Sequence, residues 1–212
     1  MKTPTECNWE FPESRKWPKR DFIIPGADLA LDTLLYAYAH GLFPMYSDDD
    51  LWWWSPMQRG IIPLHNFHAS RSLRKSARRF TCTVNTDFVG VMTKCATTHT
   101  DGNWINDEFV AAYTRLHHLG HAHSVEVWNG SNELVGGVYG VRINQFFAGE
   151  SMFHTETDAS KVALFHLVRL MILDGMTLFD VQWLTDHLAS LGGIAIPRTE
   201  YLERLSHAVS DV

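Results

Sequence analysis

Apolar and polar positions alternate with a period of two in the second half of the chain, in short runs bounded by turn residues. Residues two apart on a strand lie on the same face of a sheet, so this alternation is typical of strands. A turn with the sequence NGSNE separates the first two runs. The pattern predicts four strands in this half, over Ser124–Trp128, Glu133–Ile143, Phe146–Glu150 and Thr177–Gln182.

Other segments repeat apolar residues every three to four positions, which indicates helices. Residues that favour a helix N-cap precede four of these segments, at Asp28, Ser70, Asn106 and Asp158. The predicted helices cover Leu29–His40, 70–79, Phe88–Cys95, 106–120, 158–173 and a last segment from Pro197. Shorter strand candidates in the first half are Trp52–Trp54, Ile61–Leu64 and Phe80–Val84.

The order of elements after residue 124 predicts the sheet topology. Three strands are followed by a helix, a strand and a helix. Hairpins pair strands antiparallel, whereas a strand–helix–strand crossover pairs them parallel. We therefore predict an α+β fold with a mixed, mostly antiparallel sheet, as in the GNAT type of N-acyltransferase. A small N-terminal lobe, residues 1–80, is expected to pack on a larger GNAT-like lobe, residues 81–212.

Three polar residues interrupt the apolar strands. Glu150 ends the third strand, and Asp180 and Gln182 close the fourth. Asp180 and Gln182 share a face, and Glu150 joins them if the two strands are neighbours. Burying such groups unpaired costs about 1–3 kcal/mol each. The pattern leaves two explanations open, a satisfied hydrogen-bond network in the core or an active site.

Glycines within the second strand of this half also need an explanation. Gly136, Gly137 and Gly140 interrupt an otherwise apolar run. Glycine in a strand interior indicates a β-bulge or the close approach of a ligand. No helix and no Lys-Ser or Lys-Thr follows, so these glycines do not form a phosphate-binding loop.

A stripe of positive charge runs along one face of the predicted helix at residues 70–79. Its members are spaced at i, i+3, i+4 and i+7, on one helical face: Arg71, Arg74, Lys75 and Arg78. A solvated face is the usual explanation of such a run. The whole chain, however, has a net charge of −6, so a one-signed stripe also suggests contact with a phosphate backbone. Both interpretations remain open from the pattern.

Composition excludes several classes of protein. The 45% apolar and 20% charged residues are typical of a globular protein, and no apolar run approaches the roughly 20 residues of a membrane span. The polar N-terminus does not resemble a signal peptide. Cys7, Cys82 and Cys95 suggest no disulfide framework, so a cytoplasmic location is expected. The histidines between 117 and 123 are split by Gly120, and no carboxylate or thiol completes a metal ligand set.

From about residue 28 to residue 205 the chain resembles the leucyl/phenylalanyl-tRNA–protein transferase family. The resemblance rests on the joint order of these segments: AYAHGLFP, LWWWSP, SRSLRKS, GNWI, AYTRLHHLGHAHSVEVW, LVGGVYGV, GESMF, ASKVAL, DVQ, DHLASLG and IPRTEYL. It implies transfer of leucine or phenylalanine, with methionine as a further candidate, from tRNA to an N-terminal Arg or Lys of a protein. It also implies that the product is marked for degradation under the N-end rule. The implied partners are Leu-tRNA, Phe-tRNA and the acceptor proteins.

The resemblance also implies roles for individual residues. Asp180 is expected to orient the attacking amine and draw off its proton, with Gln182 in relay and Glu150 holding the cationic acceptor. The aminoacyl ester is already activated, so neither a cofactor nor a metal is expected. The remaining assignments are an aminoacyl pocket at Met152, Leu164 and Leu167, a tRNA 3′-end contact at Trp104, Tyr38 and Tyr113, and tRNA backbone contacts along the basic stripe.

Several positions depart from the family pattern, among them Met45 and Trp183. Met45 stands where the family usually has Trp, and Trp183 stands where a small apolar residue is common. Two other functions compete with the transferase hypothesis. One is a CoA-dependent N-acetyltransferase, although the Q/R-x-x-G-x-G/A pyrophosphate loop is replaced by HTETDASK. The other is a non-catalytic tRNA-binding module that keeps only the basic stripe.

Overall fold

The computed structural model describes residues 7–47, 50–98 and 105–210. Within these ranges the chain forms seven α-helices and ten strands. The helices are α1 Leu31–Ala39, α2 Arg71–Ala77, α3 Phe88–Thr98, α4 Asp107–His118, α5 Ala159–Leu173, α6 Asp186–Ser190 and α7 Arg198–Val209. The strands are β1 Phe22–Pro25, β2 Phe43–Ser47, β3 Asp50–Trp54, β4 Gln58–Ile61, β5 Thr81–Val84, β6 Ala122–Trp128, β7 Leu134–Ile143, β8 Phe146–His154, β9 Leu178–Gln182 and β10 Ile194–Pro197.

Two sheets organise the described chain. A small antiparallel sheet has the order β1-β3-β2, and a seven-stranded sheet has the order β10-β4-β9-β8-β7-β6-β5. In the large sheet β8 and β9 pair in parallel, while the other neighbours are antiparallel. The predicted α+β fold with a mixed, mostly antiparallel sheet is confirmed. The parallel β8–β9 pair, joined through α5, is the feature on which the GNAT-like prediction rested.

The large sheet is covered by helices on both faces. Val138 of β7 packs in one core with Leu167 of α5, while its neighbour Tyr139 packs in a second core with Val91 of α3 and Tyr113 of α4. Successive residues of a strand point to opposite faces, so these two cores lie on opposite sides of the sheet. Helices α2 and α5 cover one side, and α1, α3, α4 and α7 cover the other.

The boundary between the two sheets lies earlier in the chain than residue 80. Residues 22–54 build the small sheet, but β4 already pairs between β9 and β10 inside the large sheet. Helix α2 likewise packs on α5. The division into residues 1–80 and 81–212 stays a prediction about lobes, while the sheets themselves separate between Trp54 and Gln58.

Two of the four predicted N-cap residues make the expected side-chain bond to the helix backbone, and two do not. Ser70 and Asn106 each accept a hydrogen bond from a backbone N–H three residues on, as expected. The prediction that Asp28 caps α1 is wrong, because its carboxylate binds the N–H of Ala30 and Ala30 itself takes the N-cap position. Asp158 occupies the N-cap of α5, but its carboxylate accepts from Ser76 of α2 instead of from the helix backbone.

A β-bulge lies where β8 and β9 part. The parallel pairing ends at Ala148 and Asp180. On β7 the adjacent residues Tyr139 and Gly140 pair with Ser151 and Gly149, which leaves Glu150 as the extra residue of the bulge. A bulge bends its strand and redirects the extra side chain. Residues 149–152 are half-buried although β8 is a central strand, so the site predicted from the sequence lies at an opening in the sheet.

Substituting Gly140 by Ala is expected to destabilise the fold, because Gly140 leaves no room for a side chain. A Cβ atom there would lie 2.1 Å from the carbonyl oxygen of Ala148 and 2.5 Å from the ring of Phe147. We expect Gly140→Ala to lower the free energy of unfolding by about 1–3 kcal/mol, measured by urea denaturation. Gly130→Ala is the matched control, since a Cβ atom at Gly130 meets nothing within 4 Å. Equal stability of the two variants would contradict the close approach.

Candidate active site

A buried ion pair lies beneath the opening between β8 and β9. The guanidinium of Arg59 on β4 donates to both oxygens of Asp180, at 2.8 Å from Nε to Oδ1 and 2.6 Å from Nη2 to Oδ2. The Tyr201 hydroxyl donates to Oδ2 at 2.9 Å, and the backbone N–H of Gln182 donates to Oδ1 at 2.9 Å. Side-chain exposure is 1% for Arg59 and 0% for Asp180. Asp180 is therefore the anion of a closed pair in this structure.

Arg59 has a fully formed environment of its own. Its Nη1 donates to the carbonyl oxygen of Gly41 at 3.2 Å, and its guanidinium lies over the rings of Phe43 and Tyr201 at 4.8 and 4.3 Å. Burial opposes the charged form, but the Asp180 carboxylate outweighs it and holds the pKa of Arg59 above its ordinary value. Sequence reasoning missed this residue, because one Arg in the short segment QRGI carries no periodic or spacing signal.

Glu150 occupies a different environment from Asp180. Its Oε1 accepts from Nε2 of Gln182 at 3.2 Å, and its Oε2 lies 3.5 Å from the Tyr113 hydroxyl. Burial is the main cause that raises the pKa of Glu150 to about 8, the nearby Asp180 adds to it, and a hydrogen bond from Tyr38 works against it. Within the described part of the chain, no Lys, Arg or His forms an ion pair with Glu150.

The structure brings the three predicted polar residues into one cluster. Gln182 joins the others, since its backbone N–H binds Asp180 and its side-chain amide binds Glu150. These bonds connect β8 and β9 beyond the point where their backbone pairing ends. The arrangement contains one closed ion pair and one half-buried carboxyl at the opening. The assigned roles of Asp180, Gln182 and Glu150 stay predictions.

Tyr38 and Tyr113, predicted at the tRNA 3′ end, lie beside Glu150. Their hydroxyls hydrogen-bond to each other, and both side chains are buried. Burial first, and then the Glu150 carboxylate, raises the pKa of both phenols well above its ordinary value. An adenosine contact by either ring stays a prediction. Trp104, the third residue predicted at the 3′ end, lies outside the described residues.

The predicted aminoacyl pocket residues lie on the α5 side of the sheet. Leu164 and Leu167 are buried in the core beneath α5, and Met152 on β8 is half-buried against that core. A cavity of about 420 Å³ lies on the same side. Leu167 contributes to its wall, whereas Met152 and Leu164 do not; the apolar wall also includes Val125, Val138, Phe147, Leu170 and Met171. Asp180 and Gln182 point to the opposite face of the sheet, where they hydrogen-bond to Tyr201 and Glu150. A ligand that contacts both these two residues and the predicted pocket residues must therefore pass through the opening between β8 and β9.

The basic stripe is exposed on α2. Leu73 and Ser76 face inward, and the predicted cations Arg71, Arg74, Lys75 and Arg78 face solvent. In residues 7–47, 50–98 and 105–210, no ion pair links these four to an acidic side chain. The positive charge therefore stays available for an external anion. Contact with a tRNA backbone stays a prediction.

Met45 and Trp183, which depart from the family pattern, lie on the small sheet or against it. Trp183 packs edge-on against Phe43 and Trp54, and its Nε1–H donates to Asp21 at 3.1 Å. Met45 on β2 pairs with Trp52 of β3 and is half-buried. Trp183 thus anchors the chain after Gln182 to the small sheet.

Neither a metal centre nor a membrane span is found in the described residues. Their His, Cys, Asp and Glu side chains form no group of three or more that could hold a metal ion. No helix in the described ranges is long and apolar enough to cross a membrane.

Removing the cation of the buried pair is expected to be costly, because Asp180 would remain charged and uncompensated. Arg59→Met should lower the free energy of unfolding by about 3–5 kcal/mol in urea denaturation. Arg142→Met is the matched control: it breaks the exposed pair with Asp174 and should cost less than about 1 kcal/mol. Equal losses in the two variants would mean that the Arg59–Asp180 pair does not hold the fold together.

The pKa of Glu150 predicts a pH-dependent stability. In the unfolded chain the carboxyl ionises near its ordinary 4.5, but in the folded protein it ionises only near 8. The folded state therefore loses stability as pH rises from about 4.5 to about 8. Glu150→Gln removes this loss, so it should raise Tm more at pH 8 than at pH 5. The control is Glu203→Gln, because Glu203 is exposed and its substitution should not change Tm differently at the two pH values. If Glu150→Gln changed Tm equally at pH 5 and pH 8, the raised pKa of Glu150 would be contradicted.

Sequence comparisons assign the chain to a family. Two profiles match, "Leucyl/phenylalanyl-tRNA protein transferase" over residues 61–206 and its N-terminal domain over residues 27–57. The division between them falls where the two sheets separate. A protein of that name from Pseudoalteromonas atlantica is 50% identical over 189 residues, covering 87% of this chain and 80% of the relative. Another from Cereibacter sphaeroides is 52% identical over 182 residues, covering 84% of each.

Solved structures with a similar fold are much more distant in sequence. FemX matches at 12% identity with a TM-score of 0.47, covering 82% of this chain and 70% of FemX. L-PGS from Bacillus licheniformis matches at 10% identity with a TM-score of 0.45, covering 86% and 71%. The assignment therefore rests on the two profiles and the close relatives, and by these this chain belongs to the leucyl/phenylalanyl-tRNA–protein transferase family.

Proposed function

We propose that this protein transfers leucine or phenylalanine, with methionine as a further candidate, from aminoacyl-tRNA to the N-terminal Arg or Lys of acceptor proteins. The observation that carries the proposal is the family match over residues 27–57 and 61–206. The Glu150–Gln182–Asp180 cluster at the opening of the sheet supports it. The partners are Leu-tRNA or Phe-tRNA and a protein with a cationic N-terminal residue.

The chemistry needs alignment and proton removal more than activation. The ester that joins the amino acid to the tRNA is already reactive, so positioning the amine against its carbonyl supplies much of the rate. The amine must lose a proton, and the 3′ oxygen of the terminal adenosine must gain one. This is why we propose neither a cofactor nor a metal for the reaction.

The acceptor end of the site is proposed to lie at Glu150. This carboxyl is half-buried at the opening and has no cationic partner within the described chain. An N-terminal Arg or Lys brings two positive charges, its side chain and its α-ammonium. Their attraction to a carboxylate is strong where water is partly excluded. This accounts for selection of cationic N-termini by the site.

The aminoacyl group is proposed to pass through the opening to the α5 side. Apolar side chains there, including Met152, Leu164 and Leu167, offer a surface suited to leucine or phenylalanine. The terminal adenosine is proposed to contact Trp104, with Tyr38 and Tyr113 nearby. The exposed stripe on α2 is proposed to bind tRNA phosphates, which orients the tRNA without reading its sequence.

The product of this reaction carries a leucine or phenylalanine at its N-terminus. We propose that this residue marks the acceptor for degradation under the N-end rule. Aminoacyl-tRNA is made and used in the cytoplasm, so we propose a cytoplasmic location.

The competing N-acetyltransferase hypothesis meets an obstacle at the start of α5. A pyrophosphate would need free backbone N–H groups and positive potential at that helix N-terminus. Asp158 occupies the N-cap position there, with a carboxylate held by Ser76 and 3.8 Å from the Lys161 ammonium. A carboxylate at this position repels a phosphate group. This favours aminoacyl-tRNA over acetyl-CoA as the donor.

The decisive assay measures transfer of labelled leucine from Leu-tRNA to a peptide that begins with Arg. We expect incorporation with this peptide and none with the same peptide acetylated at its N-terminus. Calorimetry with acetyl-CoA should show no binding. Salt-dependent tRNA binding without turnover would favour the non-catalytic module, and acetyl transfer would favour the N-acetyltransferase.

Neutralising the basic stripe is expected to weaken tRNA binding. Arg74→Ala combined with Lys75→Ala removes two cations that have no acidic partner in the described chain. A plot of log K for tRNA binding against log salt has a negative slope. The double substitution should make this slope less steep by about 1 to 2, since each neutralised phosphate contributes about 0.7–0.9. Arg204→Ala on α7 is the control, because Arg204 already pairs with Glu200. An unchanged slope would remove α2 from the tRNA interface.

A further inference from the structure

We propose that Glu150 is the proton acceptor for the attacking amine and that the Arg59–Asp180 pair is a positioning device that acts through Gln182. This inference rests on the proposed transfer reaction. It assigns the proton step to a different carboxylate from the one that the family resemblance suggests, and it gives a role to Arg59.

Asp180 has no free position at which to receive a proton. Its Oδ1 accepts from Nε of Arg59 and the N–H of Gln182, and its Oδ2 accepts from Nη2 of Arg59 and the hydroxyl of Tyr201. An ionised carboxylate has about four acceptor positions, and here all four are occupied. The side chain has no exposure to solvent. Protonating Asp180 would break a bidentate pair inside the core.

The same pair fixes the backbone of Gln182. This residue has φ of +57°, in the left-handed region that residues other than glycine seldom adopt. Its N–H is held by Asp180, and it pairs across the sheet with Gly60, the neighbour of Arg59. A strained conformation persists only where surrounding contacts hold it. Asp180 supplies such a contact to the Gln182 N–H, and Arg59 in turn holds Asp180 in place.

Gln182 in turn orients Glu150. Its side-chain amide donates to Oε1 of Glu150 at 3.2 Å. Glu150 is the extra residue of the bulge, so its own strand does not fix its direction by regular pairing. The hydrogen bonds therefore run in series from Arg59 through Asp180 and Gln182 to Glu150.

The groups around Glu150 suit a proton acceptor. The titratable or charged residues that face it from the surrounding elements are Tyr38 of α1, Arg59 of β4, Tyr113 of α4, Tyr139 of β7 and Asp180 of β9. With burial as the main cause, they set the pKa of Glu150 at about 8. The ordinary pKa of an α-amine is about 7.7–8.0, so proton transfer between the two is nearly balanced. A bound cationic N-terminus favours the ionised carboxylate.

The proposed step conserves atoms and charge. The α-ammonium gives one proton to the Glu150 carboxylate and becomes an amine, whose nitrogen lone pair forms the bond to the ester carbonyl carbon. As the bond from the carbonyl carbon to the 3′ oxygen breaks, its electron pair stays on that oxygen, and the proton moves from Glu150 to it. The nitrogen gives its second proton to solvent, and Glu150 is again a carboxylate. The products are a peptide bond and a free 3′ hydroxyl.

The first test compares the pH dependence of kcat for leucine transfer at saturating Arg-peptide in wild type, Glu150→Gln and Glu150→Asp. We expect Glu150→Gln to lower kcat by about 100-fold or more near pH 7 and to move its rise to higher pH, because the amine then loses its proton only to solvent. Glu150→Asp keeps a carboxyl and should recover at least about tenfold of that loss. A Glu150→Gln variant with the wild-type pH profile, or with a change in KM alone, would overturn the proposal.

The second test separates the roles of the two carboxylates. Arg59→Gln with Asp180→Asn removes both charges together and leaves amide groups to hydrogen-bond in their place. If the pair only positions Gln182, the double variant should keep kcat within about tenfold of wild type, with the same rise toward pH 8. Loss of kcat as large as in Glu150→Gln, in a folded double variant that still binds tRNA, would assign the proton to Asp180.

Tyr201→Phe keeps the test decisive if the double variant does not fold. It removes one donor from Asp180 and leaves the Arg59 pair in place. If Asp180 took part in the proton step, loss of this donor would change both kcat and its pH dependence. We expect the pH dependence of kcat to stay as in wild type. Wild-type transfer from Leu-tRNA to the Arg-peptide is the reference: its absence would reject the proposed function itself, whereas its presence with contrary variants would reject this inference alone.

Discussion

The bidentate pair between Arg59 and Asp180 is the interaction on which the rest of the structure depends. It joins β4 to β9, the second and third strands from the β10 edge of the large sheet, and Tyr201 and Gly41 connect the same pair to α7 and to the end of α1. Burying two charges costs several kcal/mol per ion, so such a pair is tolerated only where its remaining hydrogen bonds are satisfied. Here they are. Elements far apart in sequence must therefore assemble correctly before either charge can be buried.

This requirement shapes the opening in the sheet. The strands β8 and β9 pair through Ala148 and Asp180 and then part. The bulge turns Glu150 out of the regular pattern, and the positive φ of Gln182 turns its amide toward Glu150. Backbone pairing is replaced at this point by bonds between side chains. A sheet interrupted in this way exposes polar groups that a continuous sheet would bury.

Two carboxyl groups in one cluster thus receive opposite environments. Asp180 is neutralised by its ion pair with Arg59 and contributes to the fold, whereas Glu150 forms no ion pair in the described chain and has a pKa raised to about 8. Holding Glu150 in this place opposes folding at neutral pH. Sites that bind a charged substrate often carry such a cost, since the missing partner is the substrate itself.

Sequence reasoning recovered the α+β class and most helices and central strands, because these follow from local periodicity. The glycines of β7 indicated a bulge or the approach of a ligand, and the bulge lies opposite Gly140, with its extra residue on β8. It missed β1, β2 and β10. These strands have four or five residues, each contains proline, and they lie at sheet edges, so the period-two signal is too short to detect. It placed the strand after Pro56 three residues late, at Ile61–Leu64, because the buried positions of β4 include Arg59 and Gly60, which do not read as apolar.

The sequence by itself determined which residues are polar in apolar strands, where the positive stripe lies on α2, and, through the joint order of its motifs, to which family the chain belongs. Only the tertiary structure decided what those polar residues contact. Arg59 and Asp180 are 121 positions apart, and a pairing over that distance depends on how β4 inserts between β9 and β10. Local patterns record burial and periodicity, but the partner of a buried charge is set by strand order, which no local pattern encodes.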